Sequence, residues 1–238
     1  MATEAVLTAG QMAGQTSKLV RREEVAEGTM AFHFEKPTGF NFEAGQFADV
    51  TLIDPPETDA EGNTRTFSIT TLPFENELVF TTRMRDTAFK RSLKKVPLAT
   101  EVKIGSAAGS FTLHKNRAKP AVFLAGGIGI TPFFSIVRQA HHDRLPHKLY
   151  LFYSNRRPED APFLDTLAGL GEDESQLPLD LHHDRNVEIQ EGMERRDSSD
   201  RPRDAIQAFG HPTRPHLLQC RTARHGSRHE KDACERRR

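Results

Sequence analysis

One stretch constrains this 238-residue chain more than any other: Val122-Phe-Leu-Ala-Gly-Gly-Ile-Gly-Ile-Thr-Pro132. A short apolar run ends in three glycines, and a Thr-Pro pair follows where a helix opens. A buried strand that feeds a helix in this way predicts a parallel sheet covered by helices. Glycine lets the backbone turn sharply and leaves bare N–H groups where a pyrophosphate can sit. Thr131 is placed to cap the helix, and Pro132 suits its first turn, where the missing N–H would be unpaired anyway. A purely structural strand-to-helix turn reads the same way, so the stretch takes its meaning from its surroundings.

Upstream, from Lys18 to Leu113, the text is strand-like. Segments 31–35, 47–52, 66–70, 77–81 and 110–113 alternate apolar and polar residues, and turn residues such as Asp54-Pro-Pro56 and Glu61-Gly-Asn63 separate them. The single helical patch is Thr87 to Lys95, with Phe89 and Leu93 at i, i+4. About six short strands and one helix predict a small closed antiparallel barrel. After Pro120 the rhythm becomes strand 121–125, helix 132–142, strand 148–153, helix 159–170. The expected organisation is a loose extension over 1–16, a barrel over 17–116, and the first half of a nucleotide-binding domain over 117–171.

Within the barrel, Arg65-Thr-Phe-Ser68 follows the Glu61-Gly-Asn63 turn on a strand. The period of two puts Arg65 and Phe67 on one face, Thr66 and Ser68 on the other. An exposed Arg, a core Phe and an edge Ser would satisfy that pattern. So would a flavin site, with Arg on a phosphate, an aromatic on the isoalloxazine and a hydroxyl near N5. Arg83-Met-Arg-Asp-Thr87, entering the helix, gathers cations, a hydroxyl and a helix N-terminus, which suits a pyrophosphate.

The order of these motifs resembles the ferredoxin–NADP reductase superfamily, the flavin oxidoreductases with an FAD-binding FR-type domain. Gly45-Gln-Phe47, Arg65-Thr-Phe-Ser68, Gly109-Ser-Phe111, Gly126-Gly-Ile-Gly-Ile-Thr-Pro132 and Leu151-Phe-Tyr-Ser-Asn-Arg156 fall in the family's sequence over about 110 residues. The resemblance implies a six-stranded antiparallel Greek-key flavin-binding barrel, then a truncated parallel α/β nucleotide-binding domain. It implies an NAD(P)H-dependent flavoprotein that passes a hydride to FAD, with FMN the lesser choice, and then electrons to an acceptor. That acceptor, a small molecule or a redox protein, is not named by the sequence. The alternative is a flavin-binding electron-transfer module without its own NAD(P)H activity. Residue by residue, Arg65 and Thr66 would meet the flavin phosphate strand, Phe67 the ring where the family often has Tyr, and Ser68 the N5 region. Arg85 and Thr87 would face the pyrophosphate of FAD. Gly126, Gly127, Gly129 and Thr131 would face the pyridine dinucleotide, with Asn155 and Arg156 at its ribose or adenine. Gly105-Ser-Ala-Ala-Gly109 departs from the family's Gly-Pro-aromatic-Gly turn.

Composition breaks late in the chain. From Leu181 to Arg238 there are twelve Arg, one Lys and a single aromatic, Phe209, against seventeen aromatics before it. Too few periodic apolar positions remain to build a core, so residues 172–238 are expected to be a disordered Arg/His-rich tail. The tail also reads as a shifted frame. Permitted codons for His216 to Gly226, read from the second base, give Ile-Tyr-Tyr-Ser-Ala-Gly-Pro-Pro-Gly-Met, the strand and loop that the family resemblance requires. The same shift turns His182-His-Asp-Arg-Asn186 into Thr-Met-Thr-Glu-Met and His229-Glu-Lys-Asp-Ala-Cys234 into Met-Lys-Lys-Met-Leu-Val. A frameshift between about Leu170 and Ser175 is therefore expected, leaving strands 121–125 and 148–153 with bare edges and the protein inactive as translated. Formal charge is zero, so no nucleic-acid partner is expected. No membrane span or signal peptide is expected either, and the expected address is cytoplasmic. Cys220 and Cys234 have no cluster spacing, and His33, His114, His141 and His142 lack ligand partners at a persuasive spacing, so no metal site is expected.

Overall fold

A computed structural model of the protein describes residues 14–172, 179–183 and 216–219. The expected 1–16 extension falls outside this set except at its end. Both cysteines, most of the Arg-rich tail and the 229–234 reading also lie outside the described residues.

Six strands form the first layer: β1 (Gln15–Ala26), β2 (Thr29–Glu35), β3 (Phe47–Leu52), β4 (Thr64–Ser68), β5 (Glu77–Arg83) and β6 (Glu101–Ile104). Their order is β4-β3-β6-β1-β2-β5, every pairing is antiparallel, and a bridge from Ile69 to Phe80 closes the ring. Alternation drives the closure. Phe32, Phe34, Val50, Leu52, Leu78, Phe80, Val102 and Ile104 point into one buried cluster. Helix α1 (Ala88–Lys95) plugs that core with Phe89 and Leu93, as their i, i+4 spacing predicts.

The second layer is a parallel sheet of β7 (Ala121–Gly126), β8 (Leu149–Ser154), β9 (Leu179–His183) and β10 (His216–Gln219), in the order β10-β7-β8-β9. A 3-10 turn over Gly127–Ile130 leads from β7 into α2 (Thr131–His142), and α3 (Leu164–Glu172) follows β8. Phe123, Leu151, Phe133, Val137 and Leu167 form its core. The expectation of bare edges is not met: β9 pairs in parallel with β8, and β10 with β7. Backbone N–H and C=O groups of a central parallel strand need partners on both sides, and short apolar stretches such as His216-Leu-Leu-Gln219 supply them.

Two elements differ from expectation for local reasons. Residues 110–113 are not a strand; Phe111 and Leu113 alternate because both pack on the core of the second layer. The helix expected over 159–170 splits into a 3-10 turn at Pro158–Asp160 and α3, because Phe163 adopts φ +66 between them. Strands β1 and β6 lie outside the segments singled out in the sequence. β1 is largely polar and β6 has only four residues.

Candidate functional site at the junction of barrel and sheet

The layers are locked together at several points. Gly45 N–H donates to Ser135 Oγ at 3.0 Å, Arg83 to the Asp160 carbonyl at 3.1 Å, and Arg138 pairs with Glu75 at 2.6 Å. Gly45 sits at φ +98, and a Cβ there would meet the Phe111 carbonyl oxygen at 2.1 Å. Only glycine fits this position.

Three motifs meet around Phe47. Ser68 is its register partner across β3 and β4, Gln46 Nε2 donates to the Gly109 carbonyl at 3.0 Å, and a Cβ on Gly109, at φ +101, would meet the Phe47 ring at 2.8 Å. Phe47 is 38% exposed, which leaves an apolar surface beside the Ser68 hydroxyl. The alternation expected of β4 is observed. Phe67 turns toward Phe80 and Phe89, with ring centroids 6.3 and 5.9 Å away, and Arg65 lies over the Phe89 ring at 5.2 Å. Thr66 is exposed on the opposite face and donates to the Asp49 carboxylate.

The Arg65 guanidinium already has partners. It pairs with Asp59 at 2.9 Å and Glu61 at 3.0 Å, and donates to the carbonyls of Glu61, Gly62 and Thr64. A phosphate reaches Arg65 only by displacing one of these carboxylates. Burial raises the Asp59 pKa, but hydrogen bonds from Arg65 and from the Glu61 and Ala88 N–H groups hold it below the usual carboxylate range. Asp59 thus lies at the N-terminus of α1, where a bound anion would sit. Thr87 is the N-cap of that helix and accepts from Lys90 N–H.

On the sheet side, Gly126 ends β7, Gly127 opens the 3-10 turn at φ +52, and nothing lies within 4 Å of a Cβ built on either. Gly129 is buried in the 3-10 turn. Thr131 differs from expectation: it is the first residue of α2, and its hydroxyl donates to the Ile128 carbonyl at 3.2 Å instead of capping. The 3-10 turn continues straight into α2, so the capping position falls to Ile130; Pro132 sits in the first turn as expected.

Both halves face one cleft of about 460 Å³, lined by Arg83, Arg85, Gly127, Ser154, Asn155, Arg156 and Asp160. Asp160 is held below the usual carboxylate range by its hydrogen bond from Arg157 and by the nearby Arg83 and Arg156. The lining is therefore cationic: three guanidiniums and one carboxylate already paired. Asn155 Oδ1 and Arg83 Nε are buried without a hydrogen-bond partner among the described residues. Bare glycines, cations and two unsatisfied polar atoms fit a phosphate-bearing dinucleotide. The sequence singled out Arg85, Gly127, Asn155 and Arg156 but neither Ser154 nor Asp160; the hydrogen bond from Arg83 on β5 to the Asp160 carbonyl, in the turn after β8, brings Asp160 in.

The histidines have other places. His33 is buried between Glu77 at 2.9 Å and Glu23 at 3.1 Å, His142 stacks on Phe74 at 4.0 Å, and the His114 and His147 rings lie 5.3 Å apart. Among the described residues no group of three or more metal-ligating side chains is assembled, and no helix is long and apolar enough to cross a membrane.

A family model described as the oxidoreductase NAD-binding domain matches residues 123–218, from β7 through β10. Phthalate dioxygenase reductase of Burkholderia cepacia is 31% identical over 174 residues, which is 70% of this chain and 50% of that protein. Its fold agrees as well. The solved structure of a phthalate dioxygenase reductase, described as modular for electron transfer from pyridine nucleotides to a 2Fe–2S centre, matches with a TM-score of 0.63 and 25% identity. That match covers 87% of this chain and 60% of the other. The chain belongs to the ferredoxin–NADP reductase superfamily of flavin oxidoreductases. Ferredoxin–NADP+ reductase from Plasmodium falciparum shares the fold at a TM-score of 0.62 and 13% identity, over 74% of each chain. Methane monooxygenase component C of Methylosinus trichosporium is 31% identical over 139 residues, 56% of this chain and 38% of that protein. This reductase-family chain spans about half the length of the curated relatives it matches.

Proposed function

We propose that the protein is an NAD(P)H-dependent flavin oxidoreductase that passes electrons to a separate redox protein. The observation that carries this reading is the cationic cleft, in which the barrel's Arg85 and the sheet's Gly127 and Arg156 converge. FAD, when bound, supplies the redox chemistry: it takes a hydride from NAD(P)H and releases electrons singly or in pairs. The chain's residues do the rest. Arg65, Thr66, Arg85 and Thr87 hold the phosphate end of the flavin. Phe67 braces the strand beneath the ring, and Ser68 offers its hydroxyl near N5. Gly126, Gly127, Gly129 and Thr131 let the dinucleotide approach the backbone, while Asn155 and Arg156 take its ribose and phosphate. The locked junction of barrel and sheet aligns the two rings, which is most of what hydride transfer needs. Reductase components of oxygenase systems among the relatives support an iron–sulfur or oxygenase partner as the acceptor.

The full-length protein purified from cells should be yellow, and anaerobic NADH or NADPH should bleach it. A colourless protein that flavin cannot reconstitute would reject the assignment. Yellow protein that neither nucleotide bleaches would favour the electron-transfer module without NAD(P)H activity.

We further propose that residues beyond about Leu170 are translated from a shifted frame and that hydride transfer is slowed as a result. The shifted text of 216–226 spells a family strand and loop, and His216–Gln219 lies beside β7 where a fourth strand belongs. Sequencing the gene tests this directly, since codons that cannot yield those readings refute it.

A further inference from the structure

We propose that the turn joining β1 to β2, Ala26-Glu27-Gly28-Thr29, is a bracket that sets the spacing between the two walls of the nucleotide cleft, with Glu27 and Arg157 as positioning residues. The inference rests on the nucleotide reading of that cleft, and neither residue belongs to a motif that the sequence brought forward.

Each layer supplies one wall. Arg83 and Arg85, at the end of β5, face Asn155, Arg156 and Asp160 in the segment after β8. These segments are far apart in the chain, so their separation depends on contacts between the layers. The β1–β2 turn touches both. Toward the barrel wall, the Met84 N–H, between the two cleft arginines, donates to the Gly28 carbonyl at 2.7 Å. Toward the sheet wall, the Glu27 N–H donates to the Glu159 carbonyl at 2.9 Å, and Arg157 donates to the Glu27 carboxylate at 2.8 Å. Arg157 directly follows Arg156, and Glu159 directly precedes Asp160.

The turn is well anchored. Ala26 pairs with Thr29, Thr29 pairs with Arg83, and the Gly28 N–H donates to the Glu24 carboxylate at 2.9 Å. Arg157 also donates to Asp160 at 2.9 Å, and Arg83 donates to the Asp160 carbonyl at 3.1 Å. The contacts thus close a ring, from Met84 through Gly28, Glu27, Arg157 and Asp160 back to Arg83.

A dinucleotide reaches both walls while this ring is closed. If the walls part for some of the time, affinity falls in proportion to the closed fraction. The Glu27 and Arg157 side chains are 60% and 54% exposed, so their pair is worth a factor of about two to five and salt weakens it. The sign of the effect separates two roles. Glu27 is a negative charge near a cationic cleft, so Coulomb repulsion alone predicts that its removal tightens binding of an anionic nucleotide. The bracket predicts weaker binding.

The test titrates the full-length protein with ADP-ribose by calorimetry, at low and at high salt. This probe carries the pyrophosphate and both riboses but undergoes no hydride transfer. Glu27→Gln should weaken binding about two-fold at low salt and Glu27→Arg about five-fold, and high salt should bring both closer to wild type. Adding Glu27→Gln to Arg157→Gln should cost nothing further, because both remove the same pair. Flavin content should match wild type in every variant. Unchanged or tighter ADP-ribose binding in Glu27→Arg would overturn the bracket while sparing the cleft. So would additive losses in the double variant, or flavin lost together with ADP-ribose affinity. Wild-type protein that binds no ADP-ribose would overturn the nucleotide reading itself, and this inference with it.

Discussion

Gly45 shows how one residue can hold two layers in place. Its φ of +98 and the Phe111 carbonyl oxygen, 2.1 Å from a would-be Cβ, leave no room for a side chain. Its N–H meanwhile anchors Ser135 on α2. Gly45→Ala should destabilise the protein by about 2–4 kcal/mol, combining backbone strain with a steric clash. Urea midpoints of the two proteins would show it, and an unchanged midpoint would mean the junction yields easily. Asp160 acts at the same scale through charge. It accepts from Arg157 at 2.9 Å, and that hydrogen bond depresses its pKa. A carboxylate depressed on folding contributes stability above its unfolded value of about 3.9, and that stability is lost as the pH falls through the folded value. Asp160→Asn should therefore lower stability at pH 7 yet flatten its decline below pH 4. Unfolding midpoints from pH 7 to 3 would reveal parallel curves if this is wrong.

At the scale of elements, α1 and the β7-to-α2 turn do similar work by different means. Helix α1 presents amides behind a Thr87 cap, and the β7 turn presents the glycines themselves. Thr87→Ala should cost about 1 kcal/mol of stability, the usual worth of a cap, seen as a lower thermal midpoint. Both elements were legible in the sequence because local chemistry specifies them: a capping residue, an i, i+4 apolar pair, and glycines before Thr-Pro. The segment 110–113 misled for a physical reason. Alternation reports which side chains are buried, and Phe111 and Leu113 are buried by the neighbouring layer without strand pairing. Thr131 misled because the 3-10 turn shifts the start of α2 by one residue.

For the whole molecule, the cleft between barrel and sheet is the consequential feature. Arg156 lines it from β8's end while Arg83 and Arg85 line it from the barrel, so a dinucleotide would contact both layers. Arg156→Ala should raise KM for the pyridine nucleotide about ten-fold with a smaller change in kcat, the mark of a lost ground-state contact. A fall in kcat alone would place Arg156 nearer the transferring hydride. The glycine turn, the Arg65-Thr-Phe-Ser68 strand and the order of the motifs determined the family and both layers, because strand periodicity and turn chemistry are local properties. Tertiary structure alone decided what those residues face. Arg65 is claimed by Asp59 and Glu61, Lys90 is left among cations, and two segments of an unpromising tail pair with β7 and β8. Charge pairing and strand pairing join residues far apart in the chain, and no local pattern records which partner a guanidinium or a sheet edge will find.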